Sequence, residues 1–302
     1  MKPELPDALL KAPPTGWTVW WTAARPRTLT LATAPVLAGT ALAWAEGAVP
    51  QWLTLLATLL AALLIQIGTN LHNDAADFVR GNDRADRLGP LRVTAAGWAS
   101  AAHVRFAARL AFGLAFVLGL YLVAVGGWPI LAIGSASLLA AIAYSGGPRP
   151  ISHTPFGEVF VWIFFGVLAV AGSYWLQADA FSFNALIVGS AVGLPAAAVL
   201  LVNNLRDLDA DTRAGRRTLA AVLGDTATRK AYALLMLLPY ASLPLLHKDG
   251  AWLALLALPA SMALARQLRS GISGPALNLV LARTAQCALG FAILIALGVL
   301  LT

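Results

Sequence analysis

Nine stretches of this chain are apolar enough to lie in hydrocarbon, at about 28–45, 50–69, 106–125, 129–146, 157–176, 185–203, 231–247, 251–265 and 284–301. Each comes close to the roughly 20 residues that a helix needs to cross about 30 Å of lipid, the eighth being the shortest. Lipid offers no partners to backbone groups at an open sheet edge, so stretches of this length predict helices. Composition agrees. The chain is 59% apolar and 12% charged, against about 45–50% and about 25% in a soluble domain. The expected class is therefore all-α, a polytopic membrane protein built as a nine-transmembrane-helix bundle. Pro195 and Pro239 fall inside two stretches and predict kinks rather than ends.

The charges give the bundle an orientation. Nine spans put the termini on opposite sides, and 19 of the 21 basic residues then fall on the first side. Arg109 lies one turn inside the third span, and Lys248 alone falls on the far side. By the positive-inside rule the crowded side is cytoplasmic, which places the N-terminus and two long loops in the cytoplasm and the protein in the inner (cytoplasmic) membrane. Trp44, Trp52, Trp128, Trp175 and Trp252 mark the far ends of spans, where amphipathic rings favour the interface. Residues 1–27 form a cytoplasmic segment in which Trp17, Trp20 and Trp21, spaced i, i+3, i+4, predict a short interfacial helix. Residues 28–302 form the membrane domain. No basic stretch followed by an apolar run opens the chain, so no cleaved signal peptide is expected. The formal charge of +7 is explained by this topology and calls for no nucleic acid. Cys287, the one cysteine, excludes an intramolecular disulfide and reads as a packed apolar residue.

Two of the loops on the basic side are long, and they hold seven of the 14 acidic residues. If the second span continues for a turn or two, Asn70, Asn73, Asp74 and Asp77 share one helix face at i, i+3, i+4, i+7. After the sixth span Asn204, Asp207 and Asp211 repeat that spacing, with Asn203 beside them. Carboxylates along one face repel each other unless something neutralises them. A hard divalent cation does so, and Mg²⁺ typically joins one or two carboxylates to substrate phosphates. Nearby arginines are suited to phosphate oxygens. One such loop reads readily as a solvated surface of mixed charge. Two with the same order, Asn then Asp then Arg and Gly, read better as two halves of one site. Glu158, at the start of span five, either reaches to water or is functional. Gln66 inside span two reads as an interhelical hydrogen-bonding group. His72 lies off the acidic face, and His103, His153 and His247 have no metal-binding spacing.

These residues resemble a known family. Asn73-Asp74-x-x-Asp77 and Asp207-x-x-x-Asp211 are similar to the paired aspartate motifs of the UbiA-type prenyltransferases, and the resemblance runs the length of the chain. The runs Asp83-Arg84-x-Asp86-Arg87-x-Gly89-Pro90-x-Arg92, Tyr144-Ser-Gly-Gly147-Pro148-Arg-Pro150, Asn203-Asn204-Leu-Arg206-Asp207 and Gly215-Arg-Arg-Thr218-Leu resemble its menaquinone-pathway branch. In one place the chain departs from the general pattern: Gly81 stands where a third aspartate is usual, and Asp83 follows two residues later.

The resemblance implies a nine-helix bundle whose cytoplasmic loops cap a central cavity, and Mg²⁺-dependent transfer of a polyprenyl group from its diphosphate to an aromatic acid. In the menaquinone branch that acid is 1,4-dihydroxy-2-naphthoate, which loses carbon dioxide. The expected metal ligands are Asn70, Asn73, Asp74 and Asp77 on one side and Asp207 and Asp211 on the other. Arg92, Arg149, Arg206 and Arg213 are the expected diphosphate ligands, with Asn203, Asn204 and Tyr144 at the substrate and Glu158 in acceptor orientation or proton handling. Tyr144 and Trp162 are expected to offer aromatic faces to an allylic cation. Two other classes compete. Phosphatidyl-alcohol transferases gather aspartates in a Gly-Ala-Arg pattern that is missing here. Cation-coupled transporters place acidic groups near the midplane rather than at the span ends. Within the family, the 4-hydroxybenzoate, haem and chlorophyll branches are the alternatives.

Overall fold

The computed structural model describes residues 14, 16–81 and 88–301. Expectations that fall on Lys2, Lys11, Asp83, Arg84, Asp86 and Arg87 lie outside the described residues. Within them every regular element is helical, and seven helices are long and apolar enough to cross a membrane. The protein is a multi-pass membrane protein.

The chain enters through α1, Trp17–Ala24. Its Trp17, Trp20 and Trp21 rings are exposed, while Val19 and Ala23 pack on Leu71, Ala75 and Val93. A helix therefore lies where the tryptophan spacing predicts one. Arg25 ends α1 in a left-handed conformation (φ 54°), and Pro26 opens α2, Pro26–Ala45, at a position where its missing N–H is no loss. The Arg25 carbonyl accepts from Thr28 N and Thr28 Oγ1, both at 2.9 Å, which holds the corner in place.

α3 runs over Trp52–Val79, nearly three turns past the apolar stretch that begins it. α4, Ala101–Ser145, has 45 residues. A straight helix of that length would span about 68 Å, more than twice the hydrocarbon thickness. It folds back at Gly127, whose φ of 66° and ψ of −154° lie in a region that is essentially glycine's alone. Trp175 Nε1 donates to Gly126 O at 2.9 Å beside the turn. At the other end Arg80 donates to Ser145 O at 2.5 Å and to Gly147 O at 2.9 Å, so both legs begin and end near the C-terminus of α3. The third and fourth apolar stretches are therefore two legs of one helical hairpin.

The fifth stretch is α5 (Gly157–Trp162), a π turn (Ile163–Val167) and α6 (Leu168–Ala178). The π turn lies where Gly166 meets Gly189 and Gly193 of α7, Phe183–Arg206. A Cβ on Gly193 would lie 2.6 Å from Trp162 O, so backbone contact this close requires glycine. α8, Leu208–Arg213, follows directly. α9, Leu219–Ala241, carries the internal Pro239, as α7 carries Pro195, and both prolines lie inside their helices as expected. α9 is absent from the seven spans defined by length and hydropathy, and Asp225, Arg229 and Lys230 occupy its early turns. The eighth stretch opens as a 3₁₀ helix, Asp249–Ala257, before α10, Leu258–Arg269. α11, Leu277–Leu300, closes the bundle.

α2 and α7 are the most buried spans, and α11 packs with them in the main apolar core around Leu42, Val188 and Phe291. Cys287 packs on a second apolar cluster around Leu201, Tyr232 and Met236, beside Ser261 Oγ at 3.3 Å. The end opposite the acidic loops is tied by Glu46, which accepts from Tyr174 at 2.6 Å, Asn184 at 2.7 Å and Ser182 at 3.1 Å. Between α2, α3, the α4 hairpin, the α5–α6 span and α7 lies a space that reaches Asn73 and Arg206 at the acidic end.

Candidate active site

The space is a cavity of about 970 Å³. Its body is lined by apolar side chains that include Phe116, Leu120, Leu131, Leu138, Phe160 and Phe164. Its head is polar, with Arg25, Gln66, Asn70, Asn73, Asn203 and Arg206. One end suits a charged group and the other a hydrocarbon tail.

Because α3 continues to Val79, Asn70, Asn73, Asp74 and Asp77 share a helical stripe as the spacing predicts. The stripe then divides into two i, i+4 pairs. Asn70 faces the α1–α2 corner, where its Nδ2 donates to Ala24 O at 2.8 Å and Thr28 Oγ1 at 3.0 Å. Asp74, 1% exposed, accepts from Val93 N at 3.1 Å, Thr94 N at 3.3 Å and the Thr94 hydroxyl. Both of its oxygens are engaged in holding the returning loop. Asn73 and Asp77 lie on the adjoining ridge of the same stripe. Asn73 lines the cavity, and Asp77 is paired with Arg92 at 2.5 Å.

The second acidic stretch does not continue as one helix face. Asp207 sits at the junction of α7 and α8 with φ −95° and ψ 7°, which turns it toward its neighbour Arg206. Arg206 grips it through Nε at 2.9 Å and Nη2 at 2.6 Å, and also donates to Asn203 Oδ1 at 2.8 Å and Asn278 Oδ1 at 2.9 Å. Asn278 in turn donates to Leu88 O at 2.8 Å, tying α11 to the first loop. Asp211, one turn on, points inward, and burial pushes its carboxyl up to about 6 despite the neighbouring Arg216.

The two halves meet through Arg216. Its Nη1 lies 3.2 Å from Asp211 Oδ1, and its Nη2 lies 3.4 Å from Asp77 Oδ1. Arg216 thus joins Asp211, five residues before it, to Asp77, 139 residues away in sequence. Arg216 was not among the expected site residues. Its signal was the Gly215-Arg-Arg-Thr218 run, which reads from sequence as one more basic loop.

The other expected residues divide in the same way. Tyr144 lines the cavity near its head. Glu158, 4% exposed, accepts from Asn204 Nδ2 at 2.9 Å through Oε1, while Oε2 is buried without a partner. Arg149 is exposed on the loop after α4 and outside the cavity wall, and Arg213 is exposed on α8. Trp162 does not face the cavity: its Nε1 donates to Ser190 Oγ at 3.2 Å, fixing the α5–α7 contact. Arg25 is a further addition to the site. Burial, reinforced by the nearby Arg92, lowers its guanidinium to about 10, which still leaves it charged at neutral pH.

Among the described residues no three His, Cys, Asp or Glu side chains converge into a ready metal cage. Asp77 and Asp211 are nevertheless hard oxygen donors on two sides of one guanidinium, and Asn73 adds an amide oxygen nearby. Such a set fits Mg²⁺, which needs only one or two carboxylates when phosphate and water complete its shell.

The chain is similar to known proteins in sequence and in fold. The sequence model of the UbiA prenyltransferase family matches residues 32–274. The chain is 38% identical over 294 residues to the 1,4-dihydroxy-2-naphthoate octaprenyltransferase of Escherichia coli (strain K12), covering 94% of this chain and 95% of that one. It is 38% identical over 280 residues to the enzyme of the same name from Mycobacterium tuberculosis (strain ATCC 25618 / H37Rv), covering 92% and 95%. Among solved structures, a UbiA homolog from Archaeoglobus fulgidus bound to DMAPP and Mg²⁺ superposes with a TM-score of 0.58 at 15% identity, covering 94% of this chain and 99% of that one.

Proposed function

The chain belongs to the UbiA prenyltransferase family, and from that membership we propose that it joins a polyprenyl group to 1,4-dihydroxy-2-naphthoate in menaquinone biosynthesis. The prenyl C–O bond breaks with its electron pair going to pyrophosphate, a ring carbon forms the new bond, and the ring carboxylate leaves as carbon dioxide to give demethylmenaquinol. Two supports carry the choice of acceptor and reaction. One is 38% identity over nearly the whole chain to relatives named for that acceptor. The other is the placement of Asp77, Arg216 and Asp211 beside a cavity with a polar head and an apolar body.

In this reading Asp77 and Asp211, with Asn73, hold Mg²⁺, which would supply charge neutralisation to a diphosphate leaving group. Arg92, Arg206 and Arg216 are arginines already at the acidic groups, and they turn hydrogen bonds to the phosphate oxygens as charge builds there. Asp207 keeps Arg206 aligned, and Asn70 and Asp74 hold the α1–α2 corner and the returning loop. The apolar walls take the isoprenoid and exclude water from an allylic cation. Tyr144 and the stacked Phe160 and Phe164 rings, 5.8 Å between centroids, present aromatic faces to it. Glu158, whose Oε2 is buried without a protein partner, is assigned to acceptor orientation or proton handling. In the same reading the acidic end faces the cytoplasm and the bundle lies in the inner membrane, which the distribution of basic residues supports.

The test is direct. Purified protein supplied with Mg²⁺, a polyprenyl diphosphate and 1,4-dihydroxy-2-naphthoate is expected to release pyrophosphate and yield a prenylated, decarboxylated naphthoquinol by mass spectrometry. Pyrophosphate release with 4-hydroxybenzoate alone would overturn the acceptor, and no release with any aromatic acid would overturn the reaction.

A further inference from the structure

The polar head of the cavity holds two buried atoms that no protein group satisfies, Arg25 Nη2 and Gln66 Oε1. One is a cationic donor and the other a neutral acceptor. Both residues line the cavity, and Gln66 is only 7% exposed. Thr28 joins them: its hydroxyl donates to Arg25 O at 2.9 Å and accepts from Gln66 Nε2 at 3.3 Å and Asn70 Nδ2 at 3.0 Å. The amide nitrogen of Gln66 is therefore spent on the protein, and its oxygen is left without a protein partner in a residue that lines the cavity.

Leaving a buried polar atom unpaired is costly, and a fold that keeps two in residues lining one cavity and linked through Thr28 points to a ligand that pairs them. The ligand must bring an anion to Arg25 and a hydrogen-bond donor to Gln66. A metal-bound diphosphate has acceptors only, and an isoprenoid chain has neither kind of group. An aromatic acid with a ring hydroxyl has both. The depth is also right. Gln66 lies seven residues before Asn73 on α3, about 10 Å along the helix axis from the acidic end, where the carbon attached to the diphosphate would reach.

We propose that Arg25 and Gln66 form the acceptor subsite, with Arg25 pairing the ring carboxylate and Gln66 Oε1 accepting from a ring hydroxyl. This rests on the aromatic-acid reading above and names the residues that select the acceptor. Thr28 and Asn70 are positioning residues that fix the Gln66 amide and the Arg25 corner.

Steady-state kinetics on the full chain with Mg²⁺ test it, varying 1,4-dihydroxy-2-naphthoate and the polyprenyl diphosphate separately. Gln66→Leu is expected to raise the acceptor KM about tenfold, and Gln66→Glu, which retains acceptor oxygens, to restore most of that loss. Arg25→Gln is expected to raise the acceptor KM about 30-fold, as befits a charge-assisted pair. In every variant the KM for the prenyl diphosphate stays unchanged, which also reports an intact fold. Naphthalene-1,4-diol lacks the carboxylate, so its inhibition constant should rise in Gln66→Leu and not in Arg25→Gln. A shift in the prenyl diphosphate KM with no shift for the acceptor overturns the subsite. If the wild-type protein turns over no hydroxynaphthoate, the reaction proposed above fails. Tryptophan quenching by 1,4-dihydroxy-2-naphthoate then decides the subsite separately, weaker binding in both variants supporting it and equal binding in all three proteins overturning it.

Discussion

Both oxygens of Asp74 are occupied by Val93 and Thr94, whereas Asp77 faces Arg92 and Arg216. Asp74→Asn puts an amide against buried donors, and we expect a loss of about 1–3 kcal/mol of stability, read as a lower Tm. Turnover per folded molecule should fall by less than about tenfold. Asp77→Asn and Asp211→Asn should each cost at least about 100-fold in turnover when assayed on folded protein at low temperature. Near-normal turnover in Asp77→Asn would remove this carboxylate from the site. Asp211 also gives a pH dependence. Its folded value of about 6 is raised from the ordinary 3.8, chiefly by burial. The folded state therefore binds this proton more tightly than the unfolded chain, so in metal-free protein the group weakens the fold above about 6 and ceases to do so as pH falls toward 4. The same proton competes with a cation, so Mn²⁺ binding should weaken as pH drops through about 6, and pH-independent binding from 7 to 5 would contradict it. Sequence spacing placed the four α3 residues on one stripe, but spacing is a property of a single helix. Which pair meets a loop and which meets an arginine 139 residues away is decided by packing, and so Arg216 escaped notice.

The apolar stretches were legible as helices because the bilayer sets their length, and α3 was legible beyond its stretch because the Asn/Asp spacing kept helical period. The hairpin turn falls at Gly127, in the gap between the third and fourth stretches, and Gly127→Ala should cost about 1–3 kcal/mol at that φ and ψ, measured by thermal unfolding. A stability equal to wild type would show that the turn tolerates a side chain. Other features had no such signal. The π turn depends on Gly166 meeting Gly193 across two helices, and no single-segment pattern encodes that contact. The break at Asp207 was missed for a related reason: Asp207 bonds sideways to Arg206, which ends the helical face that the i, i+3, i+7 spacing predicts.

At the scale of the molecule, charge and tryptophan placement put the polar loops at one end, and the structure brings both acidic stretches there. The cavity was legible only through family resemblance, because its walls come from α2, α3, α4 and the fifth span together. Orientation follows from the same charges. In a Cys287→Ser background, a membrane-impermeant maleimide added outside cells stripped of their outer layer should label Phe181→Cys and spare Thr212→Cys, and the reverse pattern would invert the topology. The claim on which the rest depends is that Asp77 and Asp211 act on one cation and one diphosphate. Electron paramagnetic resonance of Mn²⁺ with inorganic pyrophosphate measures it without turnover. Asp77→Asn and Asp211→Asn should each weaken Mn²⁺ binding at least about tenfold, and the double variant should weaken it little further. Wild-type affinity in either single variant, or losses that multiply as at two independent sites, would contradict it.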